Sequence, residues 1–211
     1  MKKIAIGCGV LVVLGLILLA LVAIGGYNKL VRLGQQTDSA WAQVQTDYQR
    51  RMDLIPNLVA TVSGAADFEK STLTQITEAR ASVGKVNFDG KASLSDPAQL
   101  AAFDQAQSQL SSALSRLLVV VERYPDLKSS ANFLELQAQL EGTENRIAVA
   151  RRDFNDAVQK YDTAIKSFPA VWYAAAMGFH EKPYFNAAPG AETAPKVQFD
   201  FNKAAATPAK P

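Results

Sequence analysis

Three charged residues interrupt apolar stripes of helical spacing and are the side chains best placed to do chemistry. Glu69 falls one turn before Leu73, and Glu144 and Arg151 stand seven residues apart on one face of a long predicted helix. One interpretation is a ligand or ion site inside a helical bundle. The interpretation that we favour is a set of buried or half-buried ion pairs that fixes helix register. The sequence therefore predicts Glu69, Glu144 and Arg151 as a structural polar core.

The chain offers little for catalysis or metal binding. It has one histidine, His180, and one cysteine, Cys8. A di-iron carboxylate bundle requires Glu-x-x-His on two helices, which a single histidine cannot supply. Gly84-Lys85 is not a Walker A motif, since Ala79 stands where its first glycine would be, and no Gly-x-Ser-x-Gly elbow occurs. We expect no catalytic residue, no cofactor and no metal site.

The charge pattern gives no reason to propose nucleic acid as a partner. The 22 basic and 20 acidic residues leave a net charge of +2, without the clustered basic face that nucleic-acid binding needs. Two charge clusters, at residues 50–53 (RRMD) and 151–153 (RRD), are typical of solvated helix faces or local pairs. Binding of phosphate or lipid headgroups by these clusters is the alternative.

An aromatic cluster follows the last long stripe. Its members are Trp172, Tyr173, Phe179, Tyr184 and Phe185. We favour docking of these side chains onto the bundle. The alternative is a position at a membrane interface, where tryptophan and tyrosine are enriched.

The N-terminus contains an uncharged apolar run long enough to span a bilayer. Residues 4–24 comprise 21 residues without a charge, which form a helix of about 31 Å against a hydrocarbon core of about 30 Å. The apolar core of a signal peptide is normally about 7–15 residues, so this run is long for one. We predict that residues 1–25 are a retained, single-pass transmembrane anchor.

The positive charges on the two sides of this anchor are nearly balanced. Lys2 and Lys3 flank one side, and Lys29 and Arg32 flank the other. The slight bias of Lys2 and Lys3, and the rule that long domains cross the membrane largely regardless of charge, favour an inside N-terminus and a body outside the cytoplasm.

Beyond residue 26, apolar residues recur at three- and four-residue intervals, which indicates amphipathic helices and excludes strands. Pro56 interrupts the first stripe, so we expect a kink or a restart there. Asp96-Pro97 predicts an N-cap followed by the first helical position. Near-heptad spacing and short loops predict an all-α fold, an antiparallel bundle of three to four long helices.

Three regions follow from this pattern. Residues 1–25 form the anchor, and residues 26–185 form the bundle with a short aromatic helix that ends at Gly178. Residues 186–211 are rich in alanine, proline and lysine, and we expect this tail to be largely disordered.

Four segments resemble the LemA family: YNKLVRL (27–33), AWAQVQTDYQRRMDLIPNLVATV (40–62), FEKSTLTQITEAR (68–80) and YPDLKSSANFLELQAQLEGTENRIAVARRDFNDAV (124–158). The resemblance extends in order from Tyr27 to about Phe185. It implies a bacterial envelope protein with one N-terminal helix in the inner membrane and a bundle of long antiparallel helices. It implies no chemistry, since no enzymatic activity is established for the family as a whole.

The function predicted from the sequence is a non-enzymatic, membrane-anchored scaffold or interaction protein. Its expected partners are the lipid bilayer, through the N-terminal helix, and unidentified proteins of the envelope. Ala5 and Gly9 form a small-xxx-small pair, a weak indication of a homo-oligomer. The alternative is a small-ligand or cation sensor that uses the polar residues inside the bundle.

Overall fold

The computed structural model describes an all-helical chain over residues 2–65, 68–86 and 96–186, with the helical backbone alone described at residues 2–10, 12, 16 and 19. Five α-helices lie in these ranges: α1 (Lys2–Ser63), α2 (Lys70–Lys85), α3 (Pro97–Val121), the single turn α4 (Pro125–Lys128) and α5 (Ala131–Lys166). No strand occurs within them. The predicted all-α fold class is confirmed, while the predicted tail beyond Asn186 lies outside the described residues.

Helix α1 runs without a break through both the apolar N-terminal run and the first stripe of the bundle. Its 62 residues correspond to a length of about 93 Å. Gly25-Gly26 does not interrupt it, and the restart considered at Pro56 is wrong. Pro56 is exposed, whereas Ile55 and Leu58 beside it are buried. Packing of these two side chains therefore holds the helix together across one missing hydrogen bond.

Among the described residues, α1 is the one helix that is long and apolar enough to cross a membrane, by length and composition. In its N-terminal third, the large apolar side chains that the structure describes are exposed: Leu11, Val13, Leu14, Ile17, Leu18, Leu21, Val22 and Ile24. A continuous exposed apolar surface of this kind is typical of a segment that another phase or partner covers.

The four longer helices form an up-down-up-down bundle. Helix α5 packs antiparallel to α1 along most of its length, and α2 packs against α3. Trp41 of α1 contacts Phe103 of α3 and Arg51 contacts Ser111, so α3 lies beside α1 in the same direction. Gln75 meets Arg116 between α2 and α3. Short connections between consecutive helices favour this topology.

The core consists of three apolar clusters that follow one another along α1. An aromatic group fills its middle, where Trp41 makes edge contacts with Phe103 and Phe154 at centroid distances of 5.8 and 5.5 Å. Burial of each such ring contributes about 1.5–3 kcal/mol relative to leaving it exposed. The rest of the core is aliphatic towards Val62 and returns to aromatic and alanine contacts around Leu30.

Local capping defines the ends of the later helices. The Asp96 carboxylate accepts a hydrogen bond from the Ala98 N–H at 2.9 Å, with proline at the first helical position, which confirms the predicted start of α3. The predicted short aromatic helix is instead two 3₁₀ turns, Ala170–Trp172 and Ala175–Met177. They end at Gly178, whose φ of 82° suits glycine. Such short connecting segments commonly close the tighter i→i+3 hydrogen bonds.

Candidate functional site

Arg51 lies at the centre of the bundle, with 1% of its side chain exposed. Its position follows from its spacing, because Val44, Tyr48, Arg51, Ile55 and Leu58 recur at alternating intervals of four and three residues and are all buried. A residue on this stripe faces the core whatever its chemistry. Its guanidinium therefore needs partners from the neighbouring helices, since an unpaired buried charge costs several kcal/mol.

Side chains of α3 and α5 supply those partners. Nη1 of Arg51 donates to Oε1 of Glu144 at 2.7 Å and to Oγ of Ser111 at 2.8 Å, and Nη2 donates to Oε1 of Gln107. Gln107 is also buried, whereas the Glu144 side chain is 44% exposed. We call Arg51, Gln107, Ser111 and Glu144 the polar layer. It joins α1, α3 and α5 at one level, so a shift of any helix would unpair a buried charge.

A second charged group surrounds Arg151. Its Nη1 lies 2.8 Å from Oδ1 of Asp104 and donates to the Tyr48 hydroxyl at 3.4 Å, while its guanidinium carbon lies 4.5 Å from the centre of the Phe185 ring. Arg51 lies 5.0 Å from the centre of the Tyr48 ring. Burial raises the pKa of Tyr48, and the charges of Arg151 and Arg51 partly offset that rise. Tyr48 thus links the polar layer to the second group.

The structure does not bring Glu69, Glu144 and Arg151 into one cluster. Glu69 precedes α2 and pairs with Arg123 at 2.9 Å, where both side chains are more than a third exposed. Glu144 pairs with Arg51 and Arg151 pairs with α3. Glu144 and Arg151 have different partners because two helical turns, about 10 Å, separate them along α5.

The sequence interpretation missed the central residue of this arrangement. Arg51 was expected on a solvated face with Arg50, and that expectation is wrong for Arg51 alone, since Arg50 is exposed. The spacing of the apolar residues along α1, at alternating intervals of four and three, indicates that Arg51 faces the core. Gln107 stands in the same way on the buried stripe of α3, between Phe103 and Leu110.

A further carboxylate, Asp47, is also buried. It accepts a hydrogen bond from Nε2 of Gln43 at 3.0 Å and lies 3.8 Å from Nε of Arg146. Nη2 of Arg146 in turn donates to the Thr143 hydroxyl at 2.9 Å. The α1–α5 face therefore carries a second ion pair, one turn from the polar layer along α1.

Residues 180–186 form an extended segment, here named the C-terminal strap, that lies along α5. The Asn155 amide pairs with the backbone of Phe185 in both directions: Nδ2 donates to the carbonyl oxygen at 3.0 Å, and Oδ1 accepts from the N–H at 2.9 Å. The Phe185 ring is 6% exposed and contacts Trp41 and Phe154. The strap thus closes the aromatic middle of the core.

The other end of the strap is held by charge. Nζ of Lys182 lies 2.7 Å from Oδ1 of Asp38, and the Lys182 N–H donates to Oδ1 of the buried Asp162 at 3.2 Å. Burial raises the pKa of the Asp162 carboxyl, and hydrogen bonds from the Lys182 N–H and the Tyr184 hydroxyl partly offset that rise. The strap therefore covers a carboxylate that loses hydration on folding.

The five predicted aromatic residues divide between the core and the surface. Phe185 is buried, and Tyr173 and Phe179 are half-buried against the apolar cluster around Leu30. Tyr184 is more exposed, and Trp172 is 77% exposed. Docking therefore accounts for part of the cluster, and the membrane interface stays a prediction for the rest.

A groove of about 430 Å³ borders the polar layer. It is lined by leucines and by polar side chains that include Ser111, Gln137 and Glu144. Among residues 2–65, 68–86 and 96–186, no three His, Cys, Asp or Glu side chains lie close enough to hold a metal ion. The groove offers carboxylate and amide oxygens next to a buried guanidinium.

These features define a class of all-helical proteins in which one long helix carries an exposed apolar segment and continues as the core of a four-helix bundle. Polar and charged residues join the helices of that bundle from within. The model of the LemA family matches residues 40–199, and the chain belongs to this family.

The chain is also similar to named proteins of three bacteria. Magnetosome protein MamQ 2 of Paramagnetospirillum magneticum is 29% identical over 79% of this chain and 67% of its own length. Magnetosome protein MamQ of Magnetospirillum gryphiswaldense is 28% identical over the same shares. Protein LemA of Metamycoplasma hominis is 26% identical over 70% of this chain and 63% of its own length. These names state no enzymatic reaction.

Proposed function

We propose that this chain is a non-enzymatic, membrane-anchored scaffold whose bundle binds protein partners of the bacterial envelope. The observation that carries the proposal is the continuity of α1, Lys2–Ser63. Lipid would cover its exposed apolar segment, and α5 covers its later face. The bundle then has no flexible linker to its anchor and presents long helix sides at a fixed position above the bilayer.

The polar layer supports a structural role for the charged interior. A buried arginine with three side-chain partners from two other helices favours one register over its neighbours. A bundle of defined register keeps its outer faces constant, as a binding scaffold requires. The magnetosome proteins of similar sequence are named for a cellular structure and not for a reaction, which favours assembly over catalysis.

Photocrosslinking in intact cells tests the scaffold proposal. A photoreactive amino acid would replace the exposed apolar residues Val119 on α3, and Leu134 and Val149 on α5. We expect discrete protein adducts from some of these faces and not from others, identified by mass spectrometry. Equal, diffuse labelling at all three positions would contradict a specific partner surface.

We further propose that the anchor is retained and that the body lies outside the cytoplasm. The retained anchor would be contradicted by a mature chain, purified from membranes, that begins near Gly26. Protease added after the outer barrier is opened should digest the body while a cytoplasmic marker survives. Full protection of the body from the protease would contradict the proposed orientation.

A small-ligand or cation sensor is the second candidate, and the groove beside Glu144 is the observation that favours it. A cation bound there would compete with Arg51 for this carboxylate. Thermal unfolding of the wild-type chain and of Glu144→Gln with Mg²⁺, Ca²⁺ and Mn²⁺ separates the two functions. A stabilisation that the substitution abolishes would favour the sensor, and unchanged melting temperatures would favour the scaffold.

A further inference from the structure

The loop after α5 presents large apolar side chains to solvent at one end of the bundle. We name residues 168–177 the basal loop. Phe168 is 70% and Trp172 77% exposed, and their rings meet edge to face at 4.7 Å. Val171 and Met177 are each 50% exposed. Four large apolar residues exposed in one short loop form a patch of the kind that marks an interaction surface.

Contacts with α1 fix the height of this loop. The Tyr173 hydroxyl lies against Gly26, where no side chain intervenes. Tyr27 contacts Phe179 at a centroid distance of 5.5 Å, and Leu30 packs with Ala170. Gly26 lies two residues, about 3 Å, beyond the end of the apolar run at residue 24.

The loop is therefore level with the point where α1 would leave the hydrocarbon. Tryptophan and other aromatic side chains are favoured at this depth, because the ring is apolar while the environment is still partly hydrated. Lys29 and Arg32, both exposed, stand about 7 and 12 Å beyond residue 24 along the same helix, at headgroup depth.

We propose that the basal loop inserts Phe168 and Trp172 into the interface of the phospholipid bilayer, as a second membrane contact beside α1. This inference rests on the proposed anchoring of the chain through α1. Two contacts with one membrane restrict the orientation of the chain more than a single contact does. A lone helix can rotate about its axis and tilt in any direction, whereas a helix with an inserted loop on one side has a preferred rotation and a preferred direction of tilt.

Tryptophan fluorescence in nanodiscs tests the insertion, because the chain has two tryptophans in different places. Trp172 is in the basal loop, and Trp41 is buried in the core, about 25 Å beyond residue 24 along α1. The full-length chain would be placed in nanodiscs of ordinary or brominated phosphatidylcholine. Bromine on the acyl chains should quench Trp172 emission and leave Trp41 emission unchanged.

The Trp172→Phe variant is the matched control. It keeps an aromatic ring in the loop and leaves Trp41 as the sole emitter, so the brominated lipid should no longer reduce its fluorescence. Equal emission of the wild type in both lipids would overturn the inference, as would equal quenching of wild type and variant. Wild-type nanodiscs that hold two chains and show unquenched Trp172 would assign the loop to a second copy.

Failure of the anchor gives a different result from failure of the insertion. A chain that does not co-purify with nanodiscs overturns the anchoring through α1, and the inference with it. A chain that co-purifies and shows no quenching overturns the insertion alone. Quenching of Trp172 in co-purified chains supports both.

Discussion

Removal of the Glu144 carboxylate should destabilise the bundle only while Arg51 is present. In the wild type, Arg51 donates to Glu144 at 2.7 Å from a site that is 1% exposed. Glu144→Ala leaves the guanidinium buried with the neutral oxygens of Gln107 and Ser111 as its remaining side-chain partners. The charge then has no counter-charge in the polar layer.

The expected loss is about 2 kcal/mol. Breaking a fully buried ion pair by removing one partner costs about 3–5 kcal/mol. The Glu144 side chain is 44% exposed, so water screens the pair in the native state and reaches part of the site after truncation, which lowers the cost. In an Arg51→Met background the same truncation removes a carboxylate without a buried partner and should change stability by less than about 0.5 kcal/mol.

A double-mutant cycle measures this difference as a coupling of about 1.5–2 kcal/mol between Arg51 and Glu144. The assay is urea unfolding of the full-length chain in one mild detergent, followed by near-ultraviolet circular dichroism, with linear extrapolation to water. Arg151→Met is the matched control, because Arg151 is on the same helix face as Glu144 and pairs with Asp104 instead.

The cost of Glu144→Ala should differ between the Arg151→Met and the Arg51→Met backgrounds. Glu144→Ala should still cost about 2 kcal/mol with Arg151→Met, since additive effects are the rule beyond about 7–10 Å. An equal cost of Glu144→Ala in the Arg51→Met background would refute the reasoning, because Arg51 and Glu144 would then not be coupled.

Three further predictions concern the C-terminal part of the chain. The contribution of Asp162 to stability falls as the pH rises from its ordinary pKa of 3.8 through its raised native pKa. The reason is that the native state holds the proton more tightly than the unfolded state does. Asp162→Asn should remove this part of the pH dependence of the melting temperature. Phe185→Ala should cost about 3 kcal/mol in urea unfolding, and the same substitution at its exposed neighbour Tyr184 less than about 1 kcal/mol; equal costs would mean that the strap does not close the core. Gly26→Ala and Gly25→Ala add equal helix propensity, up to about 1 kcal/mol, but only the β-carbon at Gly26 would meet a neighbouring side chain, the Tyr173 hydroxyl. Hydrogen exchange over the basal loop should therefore rise with Gly26→Ala and stay unchanged with Gly25→Ala, and equal exchange in both variants would contradict the close approach.

Helix positions and the all-α class could be predicted because apolar spacing alone specifies which face of a helix is buried. The start of α3 could be predicted because Asp96-Pro97 combines a side-chain acceptor with a residue that needs no amide partner. The prediction of a solvated face at Arg50 and Arg51 is wrong for Arg51, because it assigns both residues to one side of the helix. Adjacent residues on a helix point about 100° apart, so one can be buried while the next is exposed.

The pairings within the core could not be predicted in the same way. Which residue of α1 meets Glu144 depends on the stagger and rotation of α1 against α5, which the spacing in each helix leaves free. The docking of Phe185 depends on the Asn155 amide, which pairs with an extended backbone. Extended segments have no helical period, so their buried residues carry no comparable signal.

The continuity of α1 has a mechanical consequence. The part of α1 from Gly25 to Ser63 is a stiff arm of about 58 Å that would move with the proposed transmembrane part. A helix tilts when its hydrophobic length and the local bilayer thickness differ. For an arm of this length, a change in tilt of about 10° swings the distal tip sideways by about 10 Å. A change in local membrane thickness would thereby change the distance between the tip and its neighbours.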